Sequence, residues 1–339
     1  MSAAGLKVYR WGERPLQNNM KRILVIRGGA IGDFILTLPA LKALRDAYPH
    51  AHIEILGYKH IAVLAEKRFY AQAVRSIEYG PLSIFFAKNA ELPSELVTYF
   101  AGFDLLISYL YDPDGIFECN LRRCGVELLI RGPAKIGNGE HAARQLARPM
   151  QELGSAVEDL AAKVYPSSED QQRAQELLHD LPRPLVVFHP GSGSKKKNWP
   201  LENWIDIGNG LLGLDDFQGS LVIASGEADE DQVRSLRAIW KDERVQFAKN
   251  LPLPELAAVF EDAIFVGHDS GISQLAAAAG ANCILLFGPS DLEVWAPKNE
   301  KVQIIQAQGR DMASLGFEAV RDALINKLEA CLPEKQIRS

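Results

Sequence analysis

The chain has 339 residues, 47% of them apolar and 24% charged, with 37 basic against 43 acidic side chains and a net charge of −6. At roughly 150 residues per domain this length implies two domains, each able to bury a core without staples. The composition excludes disordered, collagen-like and low-complexity chains, and the acidic balance speaks against nucleic acid as a partner. No run of about 18 apolar residues could cross a membrane as a helix. Near the start, Arg10, Glu13, Arg14, Gln17 and Asn18 stand where a signal peptide needs apolar residues, so a cytoplasmic protein is expected. Cys119, Cys124, Cys283 and Cys331 are too few and too scattered for a disulfide framework or a zinc cluster. No metal site and no cofactor are expected.

In chain order, short β-branched runs alternate with helical patterns. Strands are predicted at Ile23-Leu24-Val25-Ile26, Ile53-Glu54-Ile55-Leu56 and Leu105-Leu106-Ile107. A second series follows at Leu185-Val186-Val187-Phe188, Leu221-Val222-Ile223-Ala224, Ile264-Phe265-Val266 and Ile284-Leu285-Leu286-Phe287. Runs this apolar suit strands buried on both faces of parallel sheets. Helical spacing at 41–47, 170–178, 231–240 and 256–260 between them implies a doubly wound α/β architecture. The division reads as an extension at 1–20, a Rossmann-like domain at 21–165, a linker at 166–184 and a second Rossmann-like domain at 185–310. A last helix at 311–332 is expected to pack across the domains.

The first strand runs into Gly28-Gly29-Ala30-Ile31-Gly32-Asp33. The dinucleotide fingerprint Gly-x-Gly-x-x-Gly fails here, because Ala30 holds its third position and Asp33 its sixth. A carboxylate there would repel a pyrophosphate. Gly29 and Gly32 permit a sharp turn and close approach of a substrate. Asp33 then stands at the carboxyl end of a strand, where open α/β sheets carry functional groups. It reads equally as the N-cap of a helix from Phe34 onward and as a catalytic carboxylate. Pro39 is expected to kink or restart that helix.

In the second half, His189-Pro190-Gly191-Ser192-Gly193-Ser194-Lys195-Lys196-Lys197-Asn198-Trp199-Pro200 joins small residues to three lysines, a combination suited to a diphosphate. The Trp-Pro pair would anchor the loop in apolar surroundings. Gly267-His268-Asp269-Ser270-Gly271-Ile272-Ser273-Gln274 reads as strand end, polar turn and helix start, with Ser270 or Asp269 as cap. Asp269 suits sugar hydroxyls, and His268 reads as a structural histidine. Glu227 suits a ribose diol or simply begins a helix.

Together these segments resemble the heptosyltransferases of glycosyltransferase family 9. The resemblance rests on Gly29-Ala30-Ile31-Gly32-Asp33 with Thr37-Leu38-Pro39-Ala40-Leu41, on Lys197-Asn198-Trp199-Pro200 and on Asp269-Ser270-Gly271, in order from Lys21 to near Cys331. It implies the GT-B fold, with two Rossmann-like domains facing a central cleft, the acceptor mainly on the first and the nucleotide sugar mainly on the second. It implies ADP-heptose as donor and the inner core of lipopolysaccharide as acceptor. Asp33 falls at the family's catalytic base and Lys197 at its diphosphate-binding lysine. Ser192 and Gly193 fall at phosphate-holding positions, and Asp269, Ser270 and Gly271 at the donor-binding turn. Glu227 and Leu251 match ribose and adenine contacts. Where the family usually has His, this chain has Gln274, which keeps a hydrogen-bond donor but no charge. The implied reaction is inverting and metal-independent. A relative with another nucleotide sugar or acceptor, and a non-catalytic nucleotide-sugar-binding protein, are the alternative readings.

Charge is uneven along the chain: residues 1–165 hold 20 basic and 17 acidic side chains, and the remainder 17 and 26. Lys7, Arg10, Arg14, Lys21, Arg22 and Arg27 face only Glu13 at the start, which suits peripheral contact with an anionic membrane and its glycolipid acceptor.

Overall fold

The computed structural model describes residues 20–226 and 230–331. They form two units, residues 20–29 with 37–160 and residues 30–36 with 161–331. The first unit is built on a five-stranded parallel sheet: β1 (Arg22–Arg27), β2 (His52–Gly57), β3 (Ala73–Ser76), β4 (Leu105–Ser108) and β5 (Leu129–Arg131), in the order β3-β2-β1-β4-β5. Ile23 lies opposite both Ile53 and Leu105, so the apolar runs of the three inner strands stack in register. Its helices are α1 (Ile31–Ala47), α2 (Lys59–Ala62), α3 (Ser94–Ala101), α4 (Ile116–Arg123), α5 (Ala142–Leu146) and α6 (Arg148–Glu152), with a 3-10 segment over Gly80–Phe86. Leu24, Ile26 and Leu106 pack beneath Phe85, Phe100 and Phe117 in one core.

The second unit carries α7 (Ser168–Leu178), β6 (Leu185–His189), α8 (Leu201–Leu212), β7 (Ser220–Ser225), α9 (Glu230–Ile239), β8 (Val245–Lys249), α10 (Leu253–Phe260) and β9 (Ile264–His268). It continues with α11 (Gly271–Ala278), β10 (Asn282–Phe287), α12 (Leu292–Trp295), β11 (Val302–Gln306) and α13 (Phe317–Cys331). Its six strands are parallel in the order β11-β10-β9-β6-β7-β8. The chain winds outward from β6 through β7 to β8, then returns to β9 on the other side of β6. That reversal is the switch point at which open α/β sheets leave a crevice beyond the strand carboxyl ends.

Three local expectations change. The helix expected to kink or restart at Pro39 is one continuous element from Ile31 to Ala47. Burial of Phe34, Ile35, Leu36, Leu38, Leu41 and Leu44 holds it together despite the backbone hydrogen bond that proline removes. Its first residues, 31–36, belong to the second unit. Within the stretch expected as a linker, the helix predicted at 170–178 is α7, opened by a capping box between Ser167 and Asp170, and α7 packs against α10 as part of the second unit. Finally, Val320, Ala323, Leu324 and Leu328 of α13 enter the second unit's core with Trp199 and Trp204.

All four cysteines are free. Among the described residues no helix is long and apolar enough to cross a membrane. Lys7, Arg10 and Arg14 of the basic stretch lie outside the described residues. Arg27 is not a surface cation: it is buried, donates from Nε to the Thr37 hydroxyl at 3.0 Å and lies over the Tyr109 ring.

Candidate active site

The loop after β6 is fixed at its far end by Trp199. The side chain is buried, its Nε1–H donates to the Leu315 carbonyl at 3.1 Å, and its backbone N–H donates to His268 Nε2 at 2.8 Å. Accepting at Nε2 leaves the proton of a neutral imidazole on Nδ1, which faces the Gly191 carbonyl at 3.4 Å. Burial pushes the His268 pKa down to about 3, so the ring stays neutral and joins the two ends of one loop. This is the structural role expected for it.

Between those anchors, Ser192 Oγ lies 2.5 Å from Asn198 Oδ1, and a 3-10 turn spans Lys195–Lys197. Gly193, Lys195 and Lys196 are exposed. Lys197 reaches back across the sheet edge, placing Nζ 2.5 Å from Asp269 Oδ2. The same oxygen accepts from Ser290 Oγ at 2.5 Å. Loops after β6, β9 and β10 therefore meet on one carboxylate. Ser290 was not singled out from the sequence; Gly288-Pro289-Ser290 directly after a buried strand is the signal that marks it.

Of the two residues expected to cap the next helix, Ser270 does so, its Oγ accepting the Ser273 N–H at 3.2 Å. The first N–H groups of α11 have no carbonyl partner within the helix, and its dipole favours an anion at this end. The start of α1 is packed onto the same turn. A Cβ on Gly271 would lie 2.8 Å from both Gly32 N and Ile31 Cβ, and one on Gly32 would lie 3.5 Å from Gly271 Cα. Gly271 needs to be glycine because a side chain there would run into the Gly32 backbone, whereas the contact at Gly32 is an ordinary one. Gly29, with φ of 96°, makes the left-handed turn that leads into α1.

Asp33 is the third residue of α1 and not its N-cap, because the helix starts at Ile31. Its Oδ2 accepts the Ala30 N–H at 2.9 Å, as the acid of a capping box does. The carboxylate is thereby held at the helix start, one residue past the Gly32–Gly271 contact.

Gln274 sits in the first turns of α11. It is buried, and its Nε2 donates to the Trp295 carbonyl at 2.7 Å, tying α11 to the end of α12. One of its two amide N–H donors is thereby engaged within the protein. Leu251 is half-buried just past β8, beside Asn250, whose N–H bonds the Ser225 carbonyl at the end of β7. Glu227 lies outside the described residues.

Comparison with known proteins settles the family. The model for glycosyltransferase family 9 (heptosyltransferase) matches residues 141–322, more than half of the chain. The chain belongs to glycosyltransferase family 9. It is 30% identical over 303 residues to lipopolysaccharide heptosyltransferase 1 of Salmonella typhimurium, covering 80% of this chain and 89% of that one. Among solved structures it is similar to a family 9 glycosyltransferase from Veillonella parvula, with a TM-score of 0.74 at 20% identity over 91% of this chain and 97% of that one. It is also similar to an Escherichia coli heptosyltransferase solved with ADP-2-deoxy-2-fluoro heptose, with a TM-score of 0.66 at 19% identity over 90% and 99%. The family 9 enzyme described here is thus a glycosyltransferase with the GT-B fold, two parallel-sheet α/β domains, as the resemblance implied.

Proposed function

We propose that the enzyme transfers a heptosyl group from ADP-heptose to an inner-core lipopolysaccharide acceptor, with inversion and without a metal. The observation that carries this reading is the meeting of Lys197, Asp269 and Ser290 beside the capped start of α11, with Asp33 at the helix start packed on the same turn. In the reaction, Asp33 takes the proton from an acceptor hydroxyl as its oxygen bonds the anomeric carbon. The bond from that carbon to the diphosphate oxygen breaks on the opposite face, and ADP leaves. The transition state has oxocarbenium character, as in other glycosyl chemistry.

Charge then builds on the departing diphosphate. Lys197 exchanges its contact with Asp269 for the diphosphate, helped by the N–H groups of Gly271 and Ile272 and by the Ser192-Gly193 backbone. Released from Lys197, Asp269 accepts hydrogen bonds from hydroxyls of the transferred sugar. Leu251 contacts the adenine, and the resemblance assigns the ribose to Glu227. The names of the Salmonella relative and of the ligand in the Escherichia coli structure support lipopolysaccharide and ADP-heptose as substrates. A glycolipid acceptor brings the enzyme to the inner face of a membrane, and salt-sensitive co-sedimentation with anionic liposomes is the check on that contact.

A thermal-shift screen of ADP-heptose against UDP-, GDP- and dTDP-sugars tests the donor. A ligand at 100 times its Kd adds about 2.7 kcal/mol of stability, and ADP-heptose is expected to give the largest shift. Release of ADP on adding acceptor separates an enzyme from a nucleotide-sugar-binding protein. A larger shift with another nucleotide sugar, or no release, would overturn the corresponding part.

A further inference from the structure

Asp269 takes two donors on one oxygen. Lys197 Nζ and Ser290 Oγ each lie 2.5 Å from its Oδ2, and among the described residues nothing donates to Oδ1. Only 11% of the Asp269 side chain is exposed, so the carboxylate depends on these two partners more than on water. A buried carboxylate left without a donor costs more than the net worth of the bond it loses. An anion that draws Lys197 away from Asp269 therefore works against that cost unless another donor stays behind.

The two donors are held in different ways. Ser290 has a short side chain on a turn fixed from both sides. Two residues before it, Gly288 is buried, and a Cβ there would lie 2.8 Å from both Cγ and Sδ of the buried Met312. One residue after it, Asp291 caps α12, accepting the Glu293 N–H at 3.0 Å. The Asp269 backbone is tied to the strand that leads into this turn, its N–H donating to the Leu286 carbonyl at 3.1 Å. The Ser290–Asp269 bond is thus set by the neighbouring strands β9 and β10. Lys197 comes instead from the loop after β6, on a flexible four-carbon stem with 33% of the side chain exposed. Of the two donors, Lys197 is built to turn away and Ser290 to stay.

We propose that Ser290 is a positioning residue that keeps Asp269 hydrogen-bonded while Lys197 turns from it to an anionic diphosphate, lowering the cost of releasing the lysine. The proposal rests on the role given above to Lys197 and adds what makes its exchange of partners affordable. Ser290 acts through Asp269 and needs no contact with the ligand.

The test is calorimetric titration of ADP into the full chain and its variants. Ser290→Ala should weaken ADP about tenfold, the size of one hydrogen bond to a charged group. Ser290→Thr, which keeps the hydroxyl, should retain most of the affinity. Ser290→Val, with the shape of threonine and no hydroxyl, should lose as much as Ser290→Ala, and the Thr–Val pair carries the test if Ser290→Ala folds poorly. In a Lys197→Ala background no exchange takes place, so adding Ser290→Ala should weaken ADP less than about twofold. A merely structural serine would show the same loss in both backgrounds, because its effect would not pass through Lys197. Equal losses with and without Lys197, or unchanged affinity in both Ser290→Ala and Ser290→Val, overturn the proposal. If Lys197→Ala weakens ADP while the Ser290 variants do not, only this proposal falls. If Lys197→Ala leaves ADP affinity unchanged, the diphosphate role of Lys197 falls and this proposal with it.

Discussion

At the carboxyl edge of the second sheet, the loops after β6, β9 and β10 bring Lys197, Asp269 and Ser290 onto one another beside the N-terminus of α11. At the same edge of the first sheet, the loops after β3 and β4 present Tyr79, Phe86 and Tyr111 among carboxylates. The strands beneath are alike, parallel and mostly apolar in their inner members. One architecture therefore supplies two edges, one gathering a lysine, a carboxylate and a hydroxyl beside a helix N-terminus and the other gathering aromatic rings among carboxylates. The scaffold fixes where the loops emerge, and the side chains on them decide what is bound.

The sharpest way to break this contrast is at the reacting group. Asp33→Asn keeps the shape of the side chain and removes the base, so turnover measured by ADP release should fall by about 10²–10⁴-fold. Donor binding by the second unit should persist. Near-native turnover would remove Asp33 from the mechanism.

Smaller in effect is Gly271→Ala. The added methyl would meet Gly32 N and Ile31 Cβ at 2.8 Å. Overpacking of this kind costs about 1–3 kcal/mol, and urea unfolding should show it together with reduced turnover. An unchanged midpoint would mean that the start of α1 is not packed tightly on this turn.

A pH-dependent effect concerns the loop anchor. His268 stays neutral in the folded protein down to a pKa of about 3, against an ordinary 6.5. The unfolded chain therefore takes up a proton that the folded one refuses. The stability from this group is complete above pH 6.5 and is lost progressively as pH falls from 6.5 towards 3. Urea midpoints should decline across that window, and His268→Gln, whose carbonyl can still accept from Trp199 N–H, should flatten the decline. An imidazole resonance of His268 titrating near pH 6.5 would contradict its burial as a neutral acceptor.

How far the sequence carried the fold depended on strand position. The seven strands predicted from apolar runs are the inner members of the two sheets. The four it missed, β3, β5, β8 and β11, are the edge strands. Edge strands are covered on fewer sides, so Ala73-Val74-Arg75-Ser76 and Val302-Gln303-Ile304-Ile305-Gln306 carry polar residues that interrupt an apolar run. At the site, the Lys197 loop and the Ser270 cap were legible because each is a local pattern after a buried strand. The Asp269–Ser290 bond, the Gln274–Trp295 tie and the Gly32–Gly271 approach were not, since each joins residues at least 21 positions apart. Asp33 was legible as a residue but not as a geometry: the sequence marked its place after β1, and only the helix start at Ile31 made it a third-position acid.

Calorimetric titration of ADP-heptose into the unaltered enzyme, Asp33→Asn and Lys197→Ala most directly tests whether the second unit's edge holds the donor. The first two should bind alike. Lys197→Ala should bind at least about tenfold more weakly, since a charge-assisted hydrogen bond contributes about 1.5–3 kcal/mol. Equal affinity in Lys197→Ala would contradict a donor diphosphate held by Lys197.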